Sequence, residues 1–529
     1  MTEELLAGKG LAWLGGAAVV IGIVFFLALA IRNGLISESM RVVLAGVGSV
    51  VLGAGGMWLH QTKGQTQASL AVVGAGIAGA FATLVSATQQ YHLIRPELGL
   101  LGAGLVGVAA TVMAIRVGSR EIAGLGIVGA LLAPVLVDAG TSGLSLTYVT
   151  IALLAASVVA VMRSWQGLSL VALLVTAPQL AAWGLSEGVG LSTGLIVTAL
   201  FGAVHLATAI AHALAIPAGT VRPLSAVTVS LNATLTALVG LGVVDNVTTH
   251  LGESAHRWVL GLSLVHLAAG AALAVRQRDR LIGPLVATVG FAFLAVALAM
   301  MLGGPALVVG WSAQAVVAAW LAQRVGDTRP LAGSAALLVL AVGHCLAFEA
   351  PLESLRDGVD LADAWMGLGA VIVAVIAVMF LAPADLRVGA IREQPRLRSL
   401  LLGAEAGLGL YVASVSIVEL VGAGQQRAQV VLSVFWGLVG LGAVVWGLRQ
   451  RVAPVRLAGL ALLCLAMAKI VLYDLANLTS ISRALSFVVV GLIALSGAFA
   501  YQRVKAQVEP NGSHGSGQQD VVTGEEDNV

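Results

Sequence analysis

Apolar stretches of roughly 17–24 residues follow one another along nearly the whole chain, broken by short polar turns. At a rise of about 1.5 Å per residue, a helix of that length matches the hydrocarbon thickness of a bilayer. Composition agrees: 59% of the 529 residues are hydrophobic and 10% are charged. Mean hydropathy is +0.98, whereas soluble chains carry about a quarter charged residues. The sequence therefore predicts an all-α polytopic membrane protein. Its 65 glycines fit that class, because small residues let helices approach closely in lipid.

Length and breaker residues place spans at 10–31, 42–60, 69–91, 98–115, 122–137, 144–162, 168–185, 191–213, 224–244, 258–275, 281–302, 306–323, 330–348, 366–382, 399–420, 430–448, 455–473 and 484–502, about eighteen transmembrane helices. The 122–137 span is short enough to be re-entrant. Ala28-Leu29-Ala30 resembles a cleavage site, but Met1-Thr-Glu-Glu-Leu-Leu is acidic where a signal needs a basic start. The first span is thus expected to be retained. The expected organisation is one helical domain over 1–503 and a disordered, acidic, Gly/Ser/Gln-rich cytoplasmic tail over 504–529.

Charge orients the chain. With the N-terminus inside, the even-numbered connections and both termini hold Lys9, Lys63, Arg116, Arg163, Arg276, Arg324, Arg449, Arg503 and their neighbours, against few cations in the odd-numbered ones. The division is roughly twenty to seven, a positive-inside bias that puts both termini in the cytoplasm. The basic turns recur at the length of a two-span unit. Trp311…Trp320…Arg324…Arg329…Gly333…His344…Glu349 matches Trp436…Trp446…Arg449…Arg456…Gly459…Lys469…Asp474 in the same order. The expected build is therefore parallel two-helix hairpin repeats. Tryptophans such as Trp58, Trp165, Trp183, Trp258, Trp320, Trp365 and Trp446 fall near span ends, where indole favours the interface.

Three stretches resemble a known family. They are Leu11-Ala-Trp-Leu-Gly-Gly…Arg32-Asn-Gly-Leu-Ile…Arg41, Ile122-Ala-Gly-Leu-Gly-Ile-Val-Gly-Ala-Leu-Leu-Ala-Pro134, and Arg456-Leu-Ala-Gly…Lys469…Asp474…Arg483…Ser486-Phe487…Tyr501-Gln-Arg503. Together they resemble the bacterial predicted membrane proteins called domain of unknown function 2339, over nearly all of Gly8 to Arg503. The resemblance implies a many-spanning protein of the bacterial cytoplasmic membrane and no set activity. Family members often have Lys-Tyr where this chain has Ala28-Leu29, and Thr where it has Ala133. No role for a cation in the first helix carries over.

The candidate substrate-binding residues are polar groups at costly depth. Lys469 lies about thirteen residues past Arg456, roughly 20 Å into a core of about 30 Å. It could line a cavity for an anionic head group or snorkel to the surface. Asp474 and Arg483 follow it on the outer side. An i,i+5 offset on an α-helix leaves Lys469 and Asp474 about 140° apart, which makes no neat pair. Glu405 is the carboxylate deepest in a span and reads as a proton or substrate site, or as a neutral interhelical hydrogen bond. Gln89, Gln90 and His92 form an outer polar cluster that could receive a glycan or merely anchor a helix end.

Other features read more plainly. His205 and His212 share a helix face and could form a relay, though intramembrane histidines more often bond a neighbouring helix. Pro134, Pro178 beside Gln179, and Pro284 interrupt spans, which frees backbone groups that transporters use. The Gly74, Gly76, Gly79 and Gly102, Gly104, Gly107 runs read as packing faces. The acidic stretch 349–365 reads as solvated surface, since its spacing matches no calcium loop. Cys345 and Cys464 both fall inside spans, so no disulfide or CxxC metal pair is expected. No metal, cofactor or nucleic-acid partner is expected, and no GxxxxGK[ST] phosphate loop is present.

Three functions fit these features. A transporter or flippase-like protein for an amphipathic cell-envelope component, a lipid or lipid-linked glycan, suits the buried charges and kinked spans. A non-catalytic envelope scaffold suits the sparse polar content. An integral-membrane transferase using a lipid-linked donor needs an outer carboxylate base, for which Glu38, Glu97 and Asp138 are available. An enzyme is the weaker reading.

Overall fold

The computed structural model describes residues 18, 19, 21, 37–64, 66–215, 223–247, 251–276, 281–325, 329–381 and 394–470. Every regular element among them is helical. The helices are α1 Glu38–Lys63, α2 Gln67–Val85, α3 Pro96–Val117, α4 Arg120–Leu136, α5 Gly143–Met162, α6 Gln166–Gly184, α7 Leu191–Leu214, α8 Pro223–Val247, α9 Leu251–Arg276 and α10 Ile282–Met301. They continue with α11 Pro305–Val325, α12 Arg329–His344, the short α13 Ser354–Asp357, α14 Leu361–Leu381, α15 Gln394–Gly422, α16 Gln426–Arg449 and α17 Ala453–Lys469. Fourteen helices among the described residues are long and apolar enough to cross a membrane. Each span expected between 42 and 473 has a helix over it; those expected at 10–31 and 484–502, and the 504–529 tail, lie outside the described residues. The span expected at 122–137 is a single helix, α4, packed against α2, α3, α5 and α6.

Local chemistry sets the helix ends. Ser37, Thr66, Ser119 and Ser142 each cap an N-terminus by accepting a backbone N–H from three residues on. Thr66 and Ser69 complete a reciprocal capping box. Pro96 starts α3, where its missing N–H costs nothing. α2 and α12 both finish on a five-residue π turn, Ser86–Gln90 and Cys345–Glu349.

The chain divides into two compact units, Met1–Met301 and Leu302–Val529. In the first, one apolar core gathers Ile77, Phe81, Leu100 and Ile122 from α2, α3 and α4. A second joins Leu131, Leu153, Leu168 and Phe201 from α4 through α7, and a third joins Leu206, Val229 and Val286 from α7, α8 and α10. In the second unit α11 packs against both α12 and α14, α15 lies between α14 and α16, and α16 packs against α17. The outward surface is apolar as well: Leu105 is 73% and Phe380 83% exposed. A surface of that kind is suited to lipid and would be an aggregation site in water.

Glycine makes the closest helix contacts. A side chain at Gly270 of α9 would lie 2.6 Å from the Ala287 nitrogen of α10, and one at Gly459 of α17 would lie 2.7 Å from the Gly440 carbonyl of α16. Gly76 of α2 meets the Gly53 backbone of α1 in the same way. In lipid there is little hydrophobic drive between helices, so association rests on such close van der Waals approach. Gly270→Leu should therefore destabilise the protein by about 1–3 kcal/mol or more through overpacking. Gly261→Leu, on the same helix with nothing within 4 Å of the added carbon, should be neutral. Thermal unfolding in detergent compares the two, and equal losses would refute the close-packing account.

Candidate functional site

Two helices of the first unit carry a proline inside them, Pro134 in α4 and Pro178 in α6. Proline has no N–H to give, so the Ala130 and Leu174 carbonyls, four residues back, lose their intrahelical donor. Glutamine side chains bond other carbonyls of the same two helices. Gln179 Nε2 donates to the Leu131 carbonyl and the Val175 carbonyl, both at 2.9 Å. Gln89 Nε2 donates to the Leu136 carbonyl at 2.8 Å and the Val135 carbonyl at 3.3 Å. Gln89 thus holds the end of α4, while Gln90 and His92 are exposed beside it.

Beyond that end the chain turns through Asp138, whose φ of 53° is a left-handed conformation that Asp tolerates. It then enters α5 at the Ser142 cap. Between this turn, α5, α6 and Phe201 of α7 lies a half-open cleft of about 210 Å³. Its walls are largely apolar, with Val135, Leu146, Val149, Leu180 and Phe201. Asp138, Thr141, Gln179 and Trp183 supply its polar and aromatic groups. Sequence reasoning named Pro134, Pro178, Gln179 and Asp138 separately; what it missed was their convergence, which depends on which helix faces meet.

A buried polar track lies below the cleft. Leu180 and Phe201 line both the cleft and a smaller void that reaches Thr176, His205 and Asn232. His205 Nε2 is 3.0 Å from Thr176 Oγ1, and His212 Nε2 is 2.9 Å from Ser169 Oγ. The Thr176 hydroxyl donates to the Ala172 carbonyl at 2.8 Å, which leaves it to accept from His205. Matching seven-residue spacings on α6 and α7 make these two rungs between helices, and Asn232 adds one to the Gly202 carbonyl at 2.9 Å.

Lys469 sits in the second unit, half-buried at the end of α17. Its Nζ donates to the Gln429 carbonyl at 3.1 Å and to Ser433 Oγ at 2.9 Å, both on α16. Glu405 of α15 is not its partner: Glu405 Oε2 is buried and makes no hydrogen bond among the described residues. Asp474 and Arg483 lie outside the described residues.

In the acidic stretch 349–365, Glu353, Asp357, Asp360 and Asp363 are exposed, as expected of a solvated surface, and Glu349 alone departs from it. Glu349 is buried and paired with His344 Nδ1 at 3.1 Å. The pair spans five residues and closes because the Cys345–Glu349 turn is π, whose i→i+5 bonding brings such positions together. Tyr411 donates to the Ala350 and Pro351 carbonyls, Glu419 accepts from the Val359 N–H, and Gln429 Nε2 donates to the Leu355 carbonyl. The segment is strapped onto α15 and α16. Among the described residues no group of three His, Cys, Asp or Glu side chains could hold a metal.

These contacts predict how the two buried charges respond to change. Lys469→Met loses two hydrogen bonds and should cost about 1–3 kcal/mol, whereas Glu405→Leu should be neutral or stabilising. The double variant should be additive to within about 0.5 kcal/mol. Unfolding free energies of the single and double variants measure this, and a larger coupling would mean that the two side chains pair.

No curated protein and no solved structure matches the chain. The family described as predicted membrane protein (DUF2339) matches residues 7–420 and again 359–504. With helices of membrane-spanning length across the matched region, the chain belongs to that family of predicted membrane proteins.

Proposed function

We propose that the chain is a transporter or flippase-like protein for an amphipathic component of the cell envelope, acting in a bacterial cytoplasmic membrane. The observation that carries this reading is the cleft where the proline-containing helices α4 and α6 meet. A proline in a helix beside a cavity leaves a backbone carbonyl without its N–H donor, a polar group that a substrate can meet away from lipid. Apolar walls with a few polar groups suit a molecule with an acyl tail and a hydrogen-bonding head. The reading extends to architecture: about eighteen spans in parallel hairpins, with both termini cytoplasmic. Tight packing of consecutive helices supports it. So does the overlap of the two family matches over 359–420, as expected if that stretch answers to two places in one pattern.

A scaffold is the second reading, and Lys469 favours it. Bonds to α16 make that cation a helix-to-helix tie with a structural role of its own. In this proposal Lys469, Glu405, Asp474 and Arg483 remain candidate substrate-binding residues, and Gln89, Gln90 and His92 flank the cleft.

Native mass spectrometry of protein extracted gently from its own membrane tests the choice. A discrete lipid or lipid-linked glycan should accompany the parent protein and Lys469→Ala, and be lost from the cleft-filling Leu146→Trp. Vesicles containing the protein should then move a dithionite-quenchable fluorescent lipid between leaflets, and Leu146→Trp should slow this at least about tenfold, equivalent to roughly 1.4 kcal/mol. Absence of both a bound lipid and lipid movement would leave the scaffold.

A further inference from the structure

We infer that the head group taken by the cleft is uncharged and hydroxyl-rich, a single sugar ring on a lipid, and that phosphate is excluded. This rests on the reading of the cleft as a lipid site and deepens it. Gln179 spends both amide hydrogens on the Leu131 and Val175 carbonyls, so its Oε1 acceptor is what remains. Ser145 directs its hydroxyl to the Ala139 carbonyl at 3.2 Å, and Ser142 Oγ takes the Ser145 N–H at 3.2 Å. Asp138 adds a carboxylate at the mouth. The lining thus offers Gln179 Oε1 and the Asp138 carboxylate as acceptors and the Thr141 hydroxyl and Trp183 indole N–H as donors, and it includes no Lys, Arg or His.

Such a site suits a neutral ligand that both donates and accepts. A phosphate would bring further acceptors and a negative charge toward Asp138 with no cation to meet it. An ammonium would be drawn to Asp138, but that residue is exposed. The ion would therefore keep its water there and lose it only at high cost on moving inward. Sugar hydroxyls can donate to both Asp138 and Gln179 Oε1 while remaining neutral. Half-buried Trp183 presents an apolar indole face, which suits the C–H face of a sugar ring. Size agrees: a half-open cleft of about 210 Å³, below the roughly 300–1,000 Å³ of drug-sized pockets, suits a single ring.

The test uses the full chain in phosphatidylcholine nanodiscs, with a monoglucosyl diacylglycerol carrying a diazirine in its acyl chain. Peptide mapping after irradiation should place the label within 134–149 or 179–183. Unlabelled monoglucosyl diacylglycerol should compete at about tenfold lower concentration than phosphatidic acid or phosphatidylethanolamine, a margin of about one hydrogen bond. Trp183→Leu should erase the preference while the acyl chain still labels the cleft. Asp138→Gly, which keeps the left-handed turn, should weaken it. Equal or better competition by phosphatidic acid or phosphatidylethanolamine would overturn the head-group inference and leave the lipid site standing. No label in either segment would overturn both.

Discussion

Inside a bilayer a backbone polar group has no water to turn to, and each one left unpaired costs several kcal/mol. Continuous helices meet that constraint by themselves, which is why every regular element among the described residues is helical. The first unit is built around the two places where the rule is broken. Pro134 and Pro178 release backbone acceptors, and Gln89 and Gln179 reach across from other turns to bind carbonyls near them. A glutamine used in this way is fixed in orientation, because its donors are committed to carbonyls. The chemistry left facing the cleft is what those bonds leave over.

Close packing is the second determinant. Where glycine faces backbone, as at Gly270 and Gly459, the helices approach to distances that no side chain permits. Elsewhere, polar rungs replace close approach: His205 with Thr176 and His212 with Ser169 join α6 to α7, and Ser263 bonds the Gly290 carbonyl between α9 and α10. Each rung satisfies two groups that lipid could not, so it fixes register as well as distance.

Much of this was legible in the sequence. Apolar run length located the helices, and the glycine runs were readable as packing faces because small residues have one main use in lipid. The site was less legible. Pro134 and Gln179 are 45 positions apart and share a cleft only because α4 and α6 turn those faces together, which no local pattern records. The Glu349 and His344 pair was hidden for another reason. Five residues apart on an α-helix point in different directions, and nothing in Cys345-Leu-Ala-Phe-Glu349 announces a π turn. The signal that could have found it was a carboxylate placed five after a histidine at the end of an apolar run, a pattern with no meaning until the helix widens.

Gln429 joins two of these themes. Its carbonyl takes the Lys469 ammonium and its amide holds the Leu355 carbonyl, so α17, α16 and the 349–365 strap meet at one side chain and its own backbone. A rotation of α17 about its axis would drag Lys469, tilt that peptide and slacken the grip on the strap. Motion at the depth of Lys469 would then reach the strap through Gln429, while Tyr411 and Glu419 hold the same strap to α15, so Gln429 acts as one pin of a hinge with three.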